Sequence, residues 1–241
     1  MFILFNNMTN IIASAAKTRT LSSIQSLLTE KNLLERDDQL RTVFHHAAQF
    51  KDLKSIPVQY LTYSALSERD QYGDTVLHYA ARYGSIGQIE LTEKLLSIRD
   101  NSSYTVLHAA AYYRSLNQID KNLLTIENMF ENLAGNTSGN SGQNVFDCAK
   151  NENLEQLTEI VTVEMLLYQN GHLLNTIFTD KPKQLSLLPV ISAELMKNDE
   201  KYNDVSSLLR RHNIDFDEYY NDLPHPKLSG LPPMQIEQFV L

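Results

Sequence analysis

The chain has 241 residues, of which 42% are hydrophobic and 21% charged, so it can bury a core and is neither collagen-like nor wholly disordered. Acidic residues outnumber basic ones by 29 to 21, and the formal net charge of -8 disfavours nucleic acid as a partner, because phosphate contacts need clustered Lys and Arg. The single cysteine, Cys148, excludes an internal disulfide framework, and no apolar run reaches the roughly 18 residues that cross a bilayer.

The first 36 residues are predicted to be helical and to close one end of the fold. The opening Met1–Phe5 is apolar, but it lacks the basic region that begins a signal peptide, and Asn6 and Asn7 follow it directly. We therefore expect this stretch to pack against the first helices rather than to be a cleaved signal peptide. Farther along, Ile24–Leu28 has the apolar spacing of an outer helix.

A seven-residue pattern then recurs along the chain. Its copies are Thr42–Ala48, Thr75–Ala81, Thr105–Ala111 and, more weakly, Asn144–Lys150, and they follow one another after 33, 30 and 39 residues. A period of this size indicates a solenoid, because a single helical unit cannot bury its apolar face and must stack on its neighbours. We therefore predict an all-α solenoid of stacked helix-turn-helix units.

Each copy contains its own signals for two helices. Thr or Asn stands before each apolar run, where its side-chain oxygen can accept a hydrogen bond from an otherwise unpaired N–H of the helix. The alanine pairs let two antiparallel helices approach closely. A Leu-rich segment such as Leu91–Leu96 is predicted to supply the second, outer helix.

The pattern resembles the ankyrin repeat, whose signature reads T-P-L-H-x-A. Asp70–Asp74 stands where that family has its D-x-x-G-x turn, although Val replaces the family's Pro in every copy. Leu40 and Ser103 replace the turn glycine, which tolerates positive φ, so we expect the first and third turns to be distorted. The resemblance implies an ankyrin-repeat solenoid with helical caps: residues 1–36 form an N-terminal cap or half-repeat, and residues 37–170 form about four repeats, the last degenerate.

Beyond the repeats the signature fades while helical periodicity continues. The loop Gly135–Gly142, with three glycines, is expected to be a tolerated insertion, and a binding loop is the alternative. Residues 171–216 are predicted to be a degenerate terminal repeat or helical cap, or else a separate small helical domain. Prolines make residues 217–241 an extended tail. Three further helices are predicted: Val163–Tyr168, Leu185–Ile191 and Val205–Arg211.

The sequence contains none of the common motifs for a phosphate, a metal ion or a catalytic serine: GxxxxGK[ST], GxGxxG, HExxH and GxSxG are all absent. His45, His78 and His108 recur at the repeat period, and the resemblance implies that they bind backbone between neighbouring loops rather than metal. Cys148 is expected to be a buried apolar residue rather than a nucleophile. We predict that the protein is not an enzyme and has no cofactor; the alternative is a small catalytic region within Leu185–Leu241, with the repeats choosing the substrate.

The candidate site follows from the repeat register. In ankyrin repeats, the turn residues and two variable residues after the alanine pair usually meet the partner. Carried onto this sequence, these positions give a partner-binding set of aromatic and charged side chains: Tyr72, Asp74, Arg82, Tyr83, Tyr104, Tyr112 and Tyr113. Tyr and Arg are typical of interaction hot spots. The alternative is that some of these tyrosines pack between repeats or against the N-terminal segment.

The resemblance implies an interaction module that binds a protein partner on its concave face, without nucleic acid or a membrane span. The sequence does not fix the oligomeric state, and we expect a monomer. The short chain, degenerate repeats, 20 Asn and no Trp also resemble ankyrin-type effectors that intracellular bacteria deliver into host cells. On that interpretation the chain acts on a host protein in the host cytoplasm. A cytoplasmic ankyrin adaptor of eukaryotic or viral origin is the alternative context.

Overall fold

The computed structural model describes residues 11–131, 143–152, 157, 160–162, 164–165, 167–168 and 202–210. Contacts between Cα atoms divide the chain into two units, Met1–Gln156 and Leu157–Leu241, so the boundary predicted after residue 170 lies inside the second unit. Across the described ranges, the regular structure is helical apart from two isolated bridges, Arg69 with Thr75 and Arg99 with Thr105. The all-α prediction is confirmed.

The helices alternate between longer inner helices and short outer helices. In chain order they are α1 (residues 11–18), α2 (Glu30–Leu34), α3 (Val43–Phe50), α4 (Tyr63–Leu66), α5 (Val76–Tyr83), α6 (Glu93–Leu96), α7 (Val106–Tyr112), α8 (Ile126–Met129), α9 (Val145–Glu152) and α10 (Tyr202–Arg210). Short 3₁₀ helices connect them at Leu21–Leu27, Leu53–Ser55, Val58–Tyr60, Ile86–Gln88, Leu116–Gln118 and Lys121–Leu123.

The inner helices form the core of the first unit. Helices α3, α5, α7 and α9 begin directly after the predicted Thr or Asn caps, and each packs against the next one along the chain. The alanine pairs Ala47–Ala48, Ala80–Ala81 and Ala110–Ala111 are completely buried. Because alanine adds only a methyl group, the backbones of neighbouring helices can approach closely and bury a continuous apolar surface.

Each outer helix is about one turn long, and each begins with the same type of N-cap. Threonine precedes each of them, and its Oγ1 accepts a hydrogen bond from the backbone N–H three residues later. The four caps are Thr29, Thr62, Thr92 and Thr125. Such a cap is needed because a helix of one turn makes few hydrogen bonds of its own and depends on packing. The outer helix predicted at Leu91–Leu96 begins two residues later, at Glu93.

The first unit contains one more repeat than the sequence pattern predicts. Helix α1 occupies the place of an inner helix, and its Ala15–Ala16 pair precedes Ala47–Ala48 by 32 residues. The outer helix predicted at Ile24–Leu28 is wrong, because most of that stretch belongs to the 3₁₀ helix Leu21–Leu27 and α2 is the outer helix. Residues 11–34 therefore hold both helices of a repeat instead of a half-repeat.

The turns between repeats share one backbone geometry whether or not they contain glycine. Leu40, Gly73 and Ser103 occupy the same position and have φ of 60°, 85° and 68°. The expected distortion of the first and third turns is therefore wrong, since Leu40 and Ser103 adopt the left-handed conformation that glycine would adopt. Non-glycine residues do so at a cost of about 1–2 kcal/mol, so other contacts must hold these turns.

The aspartate that begins each turn supplies those contacts. Asp37 Oδ1 accepts hydrogen bonds from the backbone N–H groups of Gln39 and Arg41, both at 2.9 Å. Asp70 and Asp100 bind the equivalent N–H groups of their own turns in the same way. One carboxylate oxygen thus fixes each turn.

A second set of bonds joins the ends of the inner helices. Ser85 Oγ donates to the carbonyl of Ala48 at 2.7 Å, and Ser115 Oγ donates to the carbonyl of Ala81 at 2.9 Å. All of these atoms are buried. Each serine therefore gives a carbonyl at the end of the preceding inner helix a second hydrogen bond, in addition to the one from the C-cap N–H of that helix.

In the second unit, α10 confirms much of the helix predicted at Val205–Arg211, and Val205 and Leu209 are fully buried. Residues 164–165 and 167–168 are helical. The predictions for the Gly135–Gly142 loop, the Leu185–Ile191 helix and the 217–241 tail lie outside the described residues, as does most of the predicted terminal repeat. No helix among those described is long and apolar enough to cross a membrane.

The turn geometry predicts opposite effects for two glycine exchanges. Leu40→Gly should raise the free energy of unfolding by up to about 1 kcal/mol, because the relief of left-handed strain exceeds the added entropy of the unfolded chain. Gly73→Ala should lower it by about 1–3 kcal/mol, because the new Cβ would overlap the side chain of Asn101. Urea unfolding at one temperature measures both changes.

Leu40 is 48% exposed, so its removal also loses about half of a leucine's buried surface; Leu40→Ala removes the same surface without relieving the left-handed strain and is the control. Equal destabilisation by both exchanges would contradict a shared turn geometry.

Candidate functional site

Buried histidines connect each turn to the next. Thr42 N–H donates to Nδ1 of His45 at 3.1 Å, so this ring carries its proton on Nε2, which faces the carbonyl of Asp74 at 3.4 Å. His78 Nε2 similarly lies 3.0 Å from the carbonyl of Tyr104 in the following turn. The structural role that the resemblance implies is confirmed for His45 and His78.

Burial keeps these histidines neutral. It lowers the pKa of His45 and His108 to about 4 and also lowers the pKa of His78. In the fourth copy Asp147 replaces the histidine; its carboxylate and Asn144 make reciprocal bonds that cap α9 locally. Within the described part of the chain, no group of three or more His, Cys, Asp or Glu side chains is placed to hold a metal ion.

Arginines form a further set of bonds between repeats that the sequence analysis missed. Arg69 Nη1 donates to the carbonyl of Gly73 in its own turn at 2.8 Å, and its Nη2 donates to the carbonyl of Arg99. Arg36 Nη1 similarly donates to the carbonyl of Arg69, which precedes the next turn, at 2.7 Å. Arg99 Nη1 donates to the carbonyl of Ser103 in its own turn at 2.7 Å. Each of the three arginines directly precedes a turn aspartate, and this periodicity was the available signal.

Six of the seven predicted binding residues line one groove of about 380 Å³ in the first unit, which we call the tyrosine groove. They are Tyr72, Asp74, Arg82, Tyr104, Tyr112 and Tyr113; the remaining lining residues are His78, Asp100, Ser102 and Ala109. The groove is formed by the second and third turns and by the inner helices α5 and α7 that follow them. These four remaining lining residues are absent from the predicted set of seven.

The groove presents large aromatic surfaces to solvent. Tyr72 is 67% exposed, Tyr112 is 43% exposed and Tyr113 is 38% exposed. The rings of Tyr112 and Tyr113 meet edge to face, with centroids 5.0 Å apart. Exposed aromatic side chains with few rotatable bonds can bury much area on binding at a small entropic cost.

Arg82 is held in place within the groove. Its Nη2 forms an ion pair with Asp74 at 2.8 Å, and its Cζ lies 5.1 Å from the centroid of the Tyr113 ring. A second ring, Tyr79, lies 5.8 Å away. The guanidinium is therefore fixed by one carboxylate and two aromatic neighbours, which reduces the side-chain entropy that a partner's binding would cost.

Tyr83 lies outside the groove. Its side chain is half-buried, its hydroxyl accepts a hydrogen bond from Gln49 Nε2 at 3.5 Å, and its ring centroid is 5.9 Å from that of Tyr79. The alternative of tyrosines packing between repeats therefore describes Tyr83 better than it describes the tyrosines of the groove.

Cys148 has the properties of a buried apolar side chain. It is 2% exposed, and burial, assisted by the charge of Asp147, raises the pKa of its thiol to about 12. Almost no thiolate exists at neutral pH, so Cys148 is a poor nucleophile. Of the alternative catalytic region, Leu185–Leu241, only residues 202–210 are described.

Residues 11–101 match the family model for ankyrin repeats in its three-copy form. The matched range includes α1 and α2, in agreement with a full repeat ahead of the recurring pattern. The same arrangement of inner helices continues through α7 and α9 beyond the matched residues. A comparison with curated proteins finds no match.

The lowered pKa values of the buried histidines predict a loss of stability in mild acid. Their pKa is about 4 for His45 and His108 in the folded protein and 6.5 for the unperturbed side chain, so the unfolded chain binds more protons below pH 6.5. Their stabilising contribution is fully present above pH 6.5 and is lost as the pH falls toward 4. Each can lower the free energy of unfolding by at most about 1.4 kcal/mol per pH unit in this window.

Urea unfolding at pH 7 and pH 5 measures this change. A His45→Gln variant should lose stability overall and should also show a weaker dependence on pH than the parent protein. An unchanged pH dependence in that variant would contradict the assignment.

Proposed function

We propose that this chain, an ankyrin-repeat protein, binds a protein partner at the tyrosine groove, on the concave face formed by its turns and inner helices. Ankyrin repeats are typically non-catalytic modules for protein–protein interaction. The observation that supports the proposal most is the meeting of six register-derived residues in one groove.

The chemistry of the groove suits a protein surface better than a small substrate. Its tyrosines offer apolar ring faces with a hydroxyl at the edge, and Arg82 supplies a fixed charge. These residue types are enriched among the side chains that contribute most to binding free energy. Binding would cover the three exposed rings and remove their apolar surface from water.

The double exchange Tyr72→Ala and Tyr112→Ala tests the proposal. We expect each exchange to weaken partner binding by about 1–3 kcal/mol, because each removes an exposed aromatic anchor. The free energy of unfolding should change less than the binding free energy, because Tyr72 is 67% exposed and Tyr112 is 43% exposed in the folded chain. Wild-type and variant proteins are used as bait in cell lysates, captured proteins are quantified by mass spectrometry, and affinities are then measured by calorimetry.

Tyr63→Ala is the matched control. Tyr63 is also a tyrosine and is 46% exposed, but it lies on the outer helix α4 and contacts Lys94. A partner bound at the groove should be retained by this variant and lost by the double variant. Equal capture by all three proteins, or unfolding of the double variant, would contradict the proposal.

The cellular context is a second part of the proposal. We propose that the chain is an effector delivered by an intracellular bacterium and that its partner is a host protein in the host cytoplasm. The support is the short chain, the degenerate repeats and the content of 20 Asn and no Trp. A translocation reporter fused to the full chain tests this: a signal in the host cytoplasm during infection supports it, and retention in the bacterium contradicts it.

A further inference from the structure

The second carboxylate oxygen of the turn aspartates is used differently from repeat to repeat. While Oδ1 fixes the turn in every case, Asp37 Oδ2 accepts hydrogen bonds from Arg41 Nε at 2.9 Å and from His46 Nε2 at 3.0 Å. Asp70 Oδ2 instead accepts one from the hydroxyl of Tyr79 at 2.9 Å. In both repeats, a side chain of the following inner helix satisfies this oxygen.

The third repeat has a different residue at that helix position. Ala109 stands where the earlier repeats have His46 and Tyr79, and its methyl group cannot donate a hydrogen bond. The space that a ring fills in the second repeat is part of the tyrosine groove, because Ala109 and Asp100 both line it. Asp70 is only 5% exposed, whereas Asp100 is half-buried.

The charges around the groove leave a negative excess. Its lining contains two carboxylates, Asp74 and Asp100, and one guanidinium, Arg82. Arg82 pairs with Asp74, so the charge of Asp100 is not balanced by the lining. The whole chain carries a formal net charge of -8, which attracts a positively charged partner at long range.

We infer that the tyrosine groove accepts a basic side chain, arginine or lysine, from the protein partner, with its cationic head on Oδ2 of Asp100. The inference rests on the function proposed above and specifies the chemistry that the partner presents. The first repeat contains an internal example, since the guanidinium of Arg41 binds the equivalent oxygen of Asp37. The exposed faces of Tyr72 and Tyr112 add favourable cation–π contacts for such a head group.

Two variants distinguish the effect of the Asp100 charge from the effect of the open space beside Ala109. Asp100→Asn removes the charge but keeps an oxygen that can accept the two N–H bonds of the turn, so the fold should persist. Ala109→Tyr fills the groove with the ring that the second repeat already carries, and its hydroxyl can bind Asp100 as Tyr79 binds Asp70. Thermal unfolding verifies that both variants are folded.

The first experiment uses small probes on the full chain. N-acetyl-argininamide and N-acetyl-lysinamide are titrated against the ¹⁵N-labelled protein, and N-acetyl-citrullinamide is the neutral control for arginine. We expect both cations to shift the amide signals of Ser102 and Ala109, and we expect citrulline to have little effect. Asp100→Asn should weaken the binding of the cations by about tenfold, and Ala109→Tyr should abolish it. No shift with the cations, or equal shifts with citrulline, would overturn the inference.

The second experiment uses the partner captured by the wild-type chain. Loss of affinity in Asp100→Asn, together with loss of affinity when one basic residue of the partner is replaced by glutamine, supports the inference. If Asp100→Asn binds as the wild type does while the variant lacking Tyr72 and Tyr112 does not, the basic side chain is ruled out and the proposed function stands. If neither variant loses affinity, both proposals fail.

Discussion

The carboxylate of the turn aspartate is the interaction on which the repeat stack most depends. One oxygen of Asp37, Asp70 or Asp100 holds two backbone N–H groups and so fixes a left-handed residue that is glycine in only one of the three turns. The second and third turns also present a carbonyl to the histidine of the preceding repeat. The same aspartates therefore fix the local turn geometry and support the contact between repeats, and the tyrosine groove is formed in part by the second and third of these turns.

Much of the fold could be predicted because its signals are local. Thr75 and the alanine pair behind it define the start and the buried face of α5 within seven residues. By contrast, α1 lacks the threonine and histidine of the Thr42, Thr75 and Thr105 copies, although it shares their alanine pair. The distortion expected at Leu40 was wrong because residue preference was considered without the aspartate three residues earlier, whose hydrogen bonds outweigh it.

The candidate site was predictable in outline for a related reason. The repeat register identifies which side chains face outward, so the groove tyrosines followed from position alone, whereas the packing of Tyr83 against Gln49 depends on a neighbouring repeat. Asp100 and Ala109 could not be selected in this way. Their significance arises from a comparison of what each repeat places opposite the same carboxylate oxygen, and that comparison requires three-dimensional contacts.

The bonds between repeats run in opposite directions along the stack. His45 and His78 reach forward to the following turn, whereas Ser85 and Ser115 reach back to the preceding helix end. Cutting the stack at any of these junctions would strand polar groups on both sides of the cut, which is costly in a buried seam. The repeats should consequently melt as one cooperative block, and shortened versions would need a new polar end cap before they could be used as independent fragments.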